Sequence, residues 1–491
     1  MIFEKFKSLA KDFNLIQVYE TMTADMLTPV LAYLKIRGKG KMSFLLESVE
    51  GSVNLARFSF IGSDPQKVIR NKGSKIEITT GESTEILNEN IFNYLKDSLA
   101  SINQSKIEGL PDFTGGIVGY VGYENISLIE PELVLTENTS DQFDSCLGLF
   151  NTILAFDHFT HQIILISNID LRDYSSLESA FKSAKDKIAN LRILLQKPLE
   201  YLSDFKLLTE PDDNFNFQEF NQLVKNAKEN IVEGDIFQIV LSKKFRTEYS
   251  GDLINVYRAL RIINPSPYMY YLECPGNFTV VGTSPEDLIK VKEGKAQLLP
   301  IAGTRRRGKT QEEDILLEKE LINDPKEIAE HTMLLDLGRN DLGKVCKYET
   351  VKVVQQMEIQ KYSHVMHLVS KIEGVLDEQF DAIDAFKACF PAGTVTGAPK
   401  IKAMELINKY EKSYRNVYAG AIGYFDFSGN LDTCIAIRTL FATETEIVWQ
   451  AGAGIVADSS SEMEAREIRN KAAVIINALK YAEVIDEHTR N

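Results

Sequence analysis

Residues 323 to 343 read NDPKEIAEHTMLLDLGRNDLG, and the remainder of the chain is organised outward from them. Asp324 has the chemistry of an N-cap, Pro325 suits a first helical turn, and Glu327 stands three residues past the cap. The spacing therefore predicts a helix that begins here with a capping box. Glu327 and Glu330 are three apart and share a face, while Met333, Leu334, Leu335 and Leu337 give the helix an apolar side to bury. A pair of carboxylates would thus stand one turn inside a packed helix.

Near the end of the chain, SSSEMEAREIRNKAAVIINALKYA repeats the arrangement, with Ser461 and Glu464 in capping-box spacing and Glu464 and Glu467 three apart. Four carboxylates brought together from two helices would repel one another unless a cation lay among them. An all-oxygen set without Cys or His suits Mg²⁺. Caps and solvated charges serve the same spacing and are the plainer reading of the glutamates by themselves.

A chain of 491 residues can bury a substantial core in two domains or one large one, and 44% hydrophobic with 25% charged residues is a globular composition. The net charge of −15 argues for no nucleic acid and no anionic membrane as main partner, while leaving room for a local basic pocket. Cys146, Cys274, Cys346, Cys389 and Cys434 are odd in number and lack C-x-x-C spacing, which predicts neither a disulfide framework nor a zinc site and fits a reducing, cytoplasmic setting. The opening MIFEKFKSLAKDFNL lacks the continuous apolar segment of a signal peptide, and no run approaches membrane-spanning length.

Residues 1 to 207 read as short strands with a helical end. KMSFLLESVEGSVNLARFSFIGSDP alternates around Gly51 like a hairpin, FTGGIVGYVGYENI reads as a strand with glycine bends, and SSLESAFKSAKDKIANLRILLQ has helical periodicity. LTEPDDNF, residues 208 to 215, is the linker candidate. From 216 to 485 a helix and strand meet at Gly234-Asp235, β-rich runs follow, helices at 311 to 338 interrupt them, and a hairpin is expected to turn at Ser428-Gly429-Asn430. The fold class is α+β: two halves around a large, mostly antiparallel β-sandwich flanked by helices.

GTRRRGKT, residues 303 to 310, satisfies G-x-x-x-x-G-K-[ST], in which Lys309 and Thr310 would serve a phosphate and its metal. No downstream strand ends in a suitable carboxylate, and the parallel crossovers of a P-loop hydrolase are not predicted. A charged loop beside an acidic helix is the alternative.

Taken jointly and in order, LLES, FQIVLS, NPSPYMYY, GTSPEDL, PIAGTRRRG, EIAEHTMLLDLGRNDLG, YSHVMHLVS, FPAGTVTGAPK, YAGAIGY, LDTCIAIRTL, QAGAGIVADS and NKA resemble the chorismate-utilising enzymes, and within them the large subunits of anthranilate synthases. The resemblance implies Mg²⁺ held at Glu330 and Glu467, with Glu327 and Glu464 nearby or acting through water. It implies chorismate as substrate, amination at C2 by ammonia with loss of the C4 hydroxyl, and elimination of pyruvate. Glu286 would be the general acid, Gln238 would orient ammonia, and His367 would act around the elimination. The substrate pocket would take Gly303, Thr304, Thr394, Tyr418, Arg438, Gly452, Ala453, Gly454 and Lys471.

Two positions separate relatives within that resemblance. Enzymes that add water carry a lysine base where this chain has Gln238, and those that make aminodeoxychorismate carry a nucleophilic lysine where it has Ala302. Glu47, Ser48, Pro267, Tyr268 and Met269 resemble a pocket for L-tryptophan as inhibitor. The chain has no G-x-C-x-G nucleophile turn, so the resemblance implies a separate glutamine amidotransferase subunit as the source of ammonia. The alternatives are an aminodeoxychorismate synthase component of the same family and, from another class, the nucleotide hydrolase.

Overall fold

Alternation of apolar residues along many short strands leaves each sheet with two faces to cover, and stacking two sheets covers one face of each. The computed structural model, which describes residues 1–38, 40–48, 57–135, 142–199, 202–212, 215–361 and 365–486, has that arrangement. Two sheets of twelve strands lie at its centre, and every paired strand within them is antiparallel. The α+β sandwich expected from sequence is observed.

Both sheets draw strands from both ends of the chain. In the first, Ser43–Glu47 pairs with Tyr268–Cys274, placing Glu47 opposite Met269. In the second, Gly116–Val121 pairs with Ala421–Asp426. A Cβ on Gly119 would lie 2.0 Å from the carbonyl oxygen of Cys146, so the glycines of this strand serve close backbone approach.

Three apolar clusters follow from the layering. Phe44, Ile166, Tyr270 and Leu272 of the first sheet meet Val118, Tyr120, Phe150, Ile422 and Cys434 of the second, filling the sandwich interior. The outer face of the first sheet is covered by helices that include Leu177–Gln196, Phe217–Glu233 and the C-terminal Ser461–Val484. The outer face of the second is covered by Ile91–Ala100, Pro325–Gly343 and Ala382–Cys389, while Lys400–Tyr410 packs mainly on the first sheet and adds Met404 to this cluster. The two glutamate-bearing helices therefore belong to opposite layers and can meet only at the sandwich edge.

Local expectations are largely observed. Asp324 caps its helix by accepting from the backbone N–H groups of Lys326 and Glu327, with Pro325 in the first turn. Gly234 ends Phe217–Glu233 at φ +85° before the strand Gln238–Ser250 begins. The Ser428-Gly429-Asn430 turn is pinned by Asp426, whose carboxylate accepts from Ser428 and Asn430. The strands flanking Gly51 do pair, although residues 49–56 lie outside the described ones. Of the linker candidate, Asp212 bridges to Arg246, and residues 213 and 214 are outside them too.

Two expectations need correction. The C-terminal helix is capped by Ser460, whose hydroxyl accepts from the N–H of Met463, and Ser461 instead donates to Asn221 Oδ1. Three adjacent serines offered equivalent caps, and contact with the neighbouring helix selected among them. Glu327 forms no capping box because Arg305 Nη1 takes its Oε1 at 2.9 Å. A guanidinium gives a carboxylate a stronger partner than a helix-end amide does.

Candidate active site

The strand Gln238–Ser250 runs antiparallel to Glu446–Ile455, with Val240 opposite Gly454 and Ser242 opposite Gly452. The glycines make room: a Cβ on Gly454 would lie 2.5 Å from Gln238 Nε2, and one on Gly452 would lie 2.6 Å from Tyr418 Oη. Gln238 and Tyr418 therefore lie over a floor of backbone at Gly452, Ala453 and Gly454. Lys471, from the C-terminal helix, donates to the Gly452 carbonyl at 3.0 Å.

Glu286 lies beside this floor, at the end of a strand and within electrostatic reach of Lys471 and Arg438. Burial pushes its carboxyl up to about 7, against the opposing pull of Thr394, Lys471 and Arg438. Arg438 has left-handed backbone geometry at φ +49°, and burial lowers its guanidinium from the usual arginine range. Tyr418 is raised to about 12 by burial, so its hydroxyl stays a neutral donor. Two polar atoms here are buried without a well-formed hydrogen bond: Gln238 Oε1 and Thr394 Oγ1. Native interiors seldom leave such groups open, and a bound polar ligand would satisfy them.

The Thr394 turn packs directly on the acidic helix, since a Cβ on Gly393 would lie 1.8 Å from Leu337 Cδ2. That contact carries the site from the glycine floor to Glu330. Burial raises the Glu330 carboxyl, and the charges of Glu327 and Glu467 raise it further. Glu464 is raised by burial and then by Glu467. Glu330 and Glu467 thus feel one another across the two helices. Among the described residues, however, no three His, Cys, Asp or Glu side chains gather closely enough to hold an ion. Glu327 is turned to Arg305, and Glu467 pairs with Lys471 at 2.7 Å.

His367 is brought to PIAGT by strand pairing. It stands opposite Thr304, and its Nδ1 is 3.0 Å from Thr304 Oγ1 and 3.1 Å from the Gly303 carbonyl. Ala302 is buried in the same strand, opposite Leu368. In YSHVMHLVS, residues 362–364 lie outside the described ones. The GTRRRGKT loop holds its own side chains: the amides of Gly308 and Lys309 donate to Asp314 and Glu313, and Arg307 pairs with Asp314. The amides that would cradle a phosphate are already engaged, and the strand before them runs antiparallel to its neighbour.

One buried residue that the sequence does not single out joins these parts. Arg415 donates to the carbonyls of Val395 and Val240, pairs with Glu411 at 2.7 Å, and lies over the ring of Tyr418. It ties the Thr394 turn, the Gln238 strand and Tyr418 into one unit. Its place three residues before Tyr418 was visible, but a buried arginine looks like any other in sequence.

Glu47, Ser48, Pro267, Tyr268 and Met269 all line one cavity of about 140 Å³ between the two sheets. Glu47 accepts from Tyr257 at 2.5 Å and Ser59 at 3.3 Å, and pairs with Arg261 at 3.3 Å. Asp432 accepts from Tyr268 at 2.8 Å and Lys290 at 2.6 Å. Ser48 Oγ is buried without a partner. Lys290 and Asp432 carried no signal in sequence and enter the cavity through strand register.

A family model described as chorismate binding enzyme matches residues 43–477. The chain belongs to the chorismate binding enzyme family. Among its relatives, an anthranilate synthase component 1 of Aquifex aeolicus is 41% identical, over 99% of this chain and 98% of its own length. One from Synechocystis is 43% identical, over 97% and 98% respectively. A solved anthranilate synthase component I from Streptococcus pneumoniae superposes with a TM-score of 0.74 at 35% identity, covering 93% of this chain and 99% of that one. The resemblance drawn from the motifs is thus borne out along nearly the whole length of this chorismate-binding family member.

Proposed function

We propose that this protein is the large subunit of an anthranilate synthase. It would aminate chorismate at C2 with ammonia and expel pyruvate, as the first step of tryptophan biosynthesis. The observation that carries the reading is the half-buried Glu286, whose carboxyl lies among Thr394, Lys471 and Arg438 beside the glycine-floored cleft. The names of the full-length relatives support it.

Hydroxide is a poor leaving group, and a carboxyl that is still protonated near neutrality can give the C4 oxygen its proton as the C–O bond breaks. Gln238 offers an open amide oxygen to orient ammonia, which already carries the lone pair it needs. Arg438, Tyr418 and the floor at Gly452, Ala453 and Gly454 would take one carboxylate of the dianionic substrate. Gly303, Thr304, Thr394 and Lys471 would complete the pocket, and His367 would act around pyruvate elimination. Neither Gln238 nor Ala302 can serve as the lysine base or lysine nucleophile of related chemistries.

Glu330 and Glu467 suit Mg²⁺ in one respect: the charge of Glu467 adds to the cost of ionising Glu330, which a cation would relieve. Two carboxylates with substrate oxygens and water are an ordinary Mg²⁺ set. Glu327 and Glu464 would act through water. The ion would hold the ring carboxylate and withdraw electron density from the ring.

Ammonia would come from a glutamine amidotransferase subunit. Cys346, Cys389 and Cys434 are poor nucleophiles, since burial pushes Cys346 up to about 11 and the other two further. The cavity at Glu47, Ser48, Pro267, Tyr268 and Met269 would bind L-tryptophan as feedback inhibitor, with residues 1 to 207 contributing its wall and 216 to 485 the catalytic region. Five free cysteines suit the cytoplasm, and among the described residues no helix is long and apolar enough to cross a membrane.

The test is to incubate the protein with chorismate, Mg²⁺ and ammonium and to follow anthranilate fluorescence and pyruvate together. Equal yields of both are expected. An amino product that keeps its enolpyruvyl group would instead indicate an aminodeoxychorismate synthase.

A further inference from the structure

Behind Glu286 lies a second, smaller chamber, open on one side, of about 60 Å³. Its walls come from the strand carrying Glu286 and Asp287, from Leu334, Gly338 and Asp341 of the acidic helix, and from the Thr394 turn. A water needs roughly 10–15 Å³ of such space and two or more polar neighbours, so the chamber has room and partners for water.

Asp287 is the unexplained group in its wall. It is 8% exposed, its Oδ1 accepts only a long bond from the Leu299 N–H at 3.3 Å, and its Oδ2 is buried with no partner. Among the described residues no cation is paired with it: Lys290 is engaged by Asp432, and Lys400 and Lys344 are engaged by Asp341. The titratable groups around it are Glu286 beside it, Lys290 on its own strand, Cys434 opposite it and Asp432 on the paired strand, and Tyr268, with Asp341 and Cys389 across the chamber. Burial, and then the charges of Asp432 and Glu286, push its carboxyl up to about 7. A buried carboxyl without a cation is held most cheaply in its neutral form, and a neutral carboxyl is a proton donor.

We infer that Asp287 is a positioning residue that returns the proton to Glu286 between turnovers, through water in this chamber. The inference rests on the reading of Glu286 as general acid. When Glu286 protonates the C4 oxygen, the C–O bond breaks, water leaves and a carboxylate remains. Asp287 then gives its proton to the chamber water while that water gives one to Glu286, and Asp287 regains a proton from bulk water. No electrons are exchanged.

The test is rapid-quench kinetics of the full chain with chorismate, Mg²⁺ and ammonium, measuring pyruvate. Asp287→Asn keeps the shape of the neutral acid but cannot relay a proton. It should show a first turnover at the wild-type rate, about one pyruvate per chain, followed by a steady rate at least about tenfold slower. The slow phase should worsen as pH rises, and Asp287→Glu should restore the steady rate in part. If Asp287→Asn fails to fold, Asp287→Ser gives the same comparison. A steady rate within about twofold of wild type overturns the proposal, as does equal slowing of the first and later turnovers, the mark of a purely structural role. Glu286→Gln separates the underlying reading, since it should slow the first turnover itself. A Glu286→Gln variant with a normal first turnover would remove the general acid instead.

Discussion

The cleft around Glu286 and the cavity around Glu47 are both polar openings in one sandwich, yet they treat their polar groups in opposite ways. In the cavity, Glu47 has three protein partners and Asp432 has two, leaving Ser48 Oγ open. In the cleft and the chamber behind it, Gln238 Oε1 and Thr394 Oγ1 lack well-formed bonds, burial raises Glu286 and Asp287 to about 7, and the charge of Glu467 works against that of Glu330. Satisfied groups hold a fixed shape. Unsatisfied and mutually repelling ones store a demand that only a ligand, an ion or a changing charge can meet. The difference suits a regulatory pocket in the first place and a reaction site in the second.

The contrast can be broken most severely at the repelling pair. Glu330→Gln or Glu467→Gln should lower kcat/KM for chorismate about 10³-fold and abolish the response to Mg²⁺, since several kcal/mol of charge stabilisation would go. Glu286→Gln should cost about 10²-fold or more in kcat. In the unaltered protein the same residue sets a pH limit. Its carboxyl is raised above the ordinary glutamate range, so the active protonated form persists below about 7 and is lost as pH climbs through that value. A rate that rises across that window at constant free ammonia would contradict the assignment.

Smaller effects sharpen the other side. Ser48→Ala removes an open hydroxyl of the cavity and should raise the tryptophan concentration for half-inhibition about fivefold to tenfold. The last comparison uses stability alone. Tyr257→Phe strips a donor from the buried Glu47 and should destabilise the protein by about 1–3 kcal/mol, whereas Thr394→Val deletes a hydroxyl with no well-formed bond and should cost less than about 0.5 kcal/mol. Denaturant melts of the two variants measure the asymmetry.

Much of this architecture is legible in sequence because local chemistry and the final fold agree. Asp324 and Pro325 announce their helix, Gly234 ends another, and Asp426 with Ser428 and Asn430 fixes a turn. The failures occur where tertiary contacts choose among local equals. Three serines could each cap the last helix, and a neighbouring asparagine took one of them. Glu327 fitted a capping box until Arg305, from a strand that meets it only in the fold, claimed its carboxylate. The site residues were reached through the ordered motifs, since a glycine such as Gly454 gives no sign alone that Gln238 lies above it. Arg415, Lys290 and Asp287 were invisible for a related reason: what matters is their burial and who faces them, and neither is written in residue type.

The central claim is a divalent ion shared by helices from opposite layers of the sandwich. The most direct measurement is anomalous scattering from a crystal of the full chain grown with Mn²⁺ in place of Mg²⁺ and anthranilate with pyruvate in the cleft. The account predicts one strong peak bounded by the carboxylates of Glu330 and Glu467, absent in Glu330→Gln. A peak elsewhere, or the two carboxylates directed into separate regions with the products bound, would contradict it.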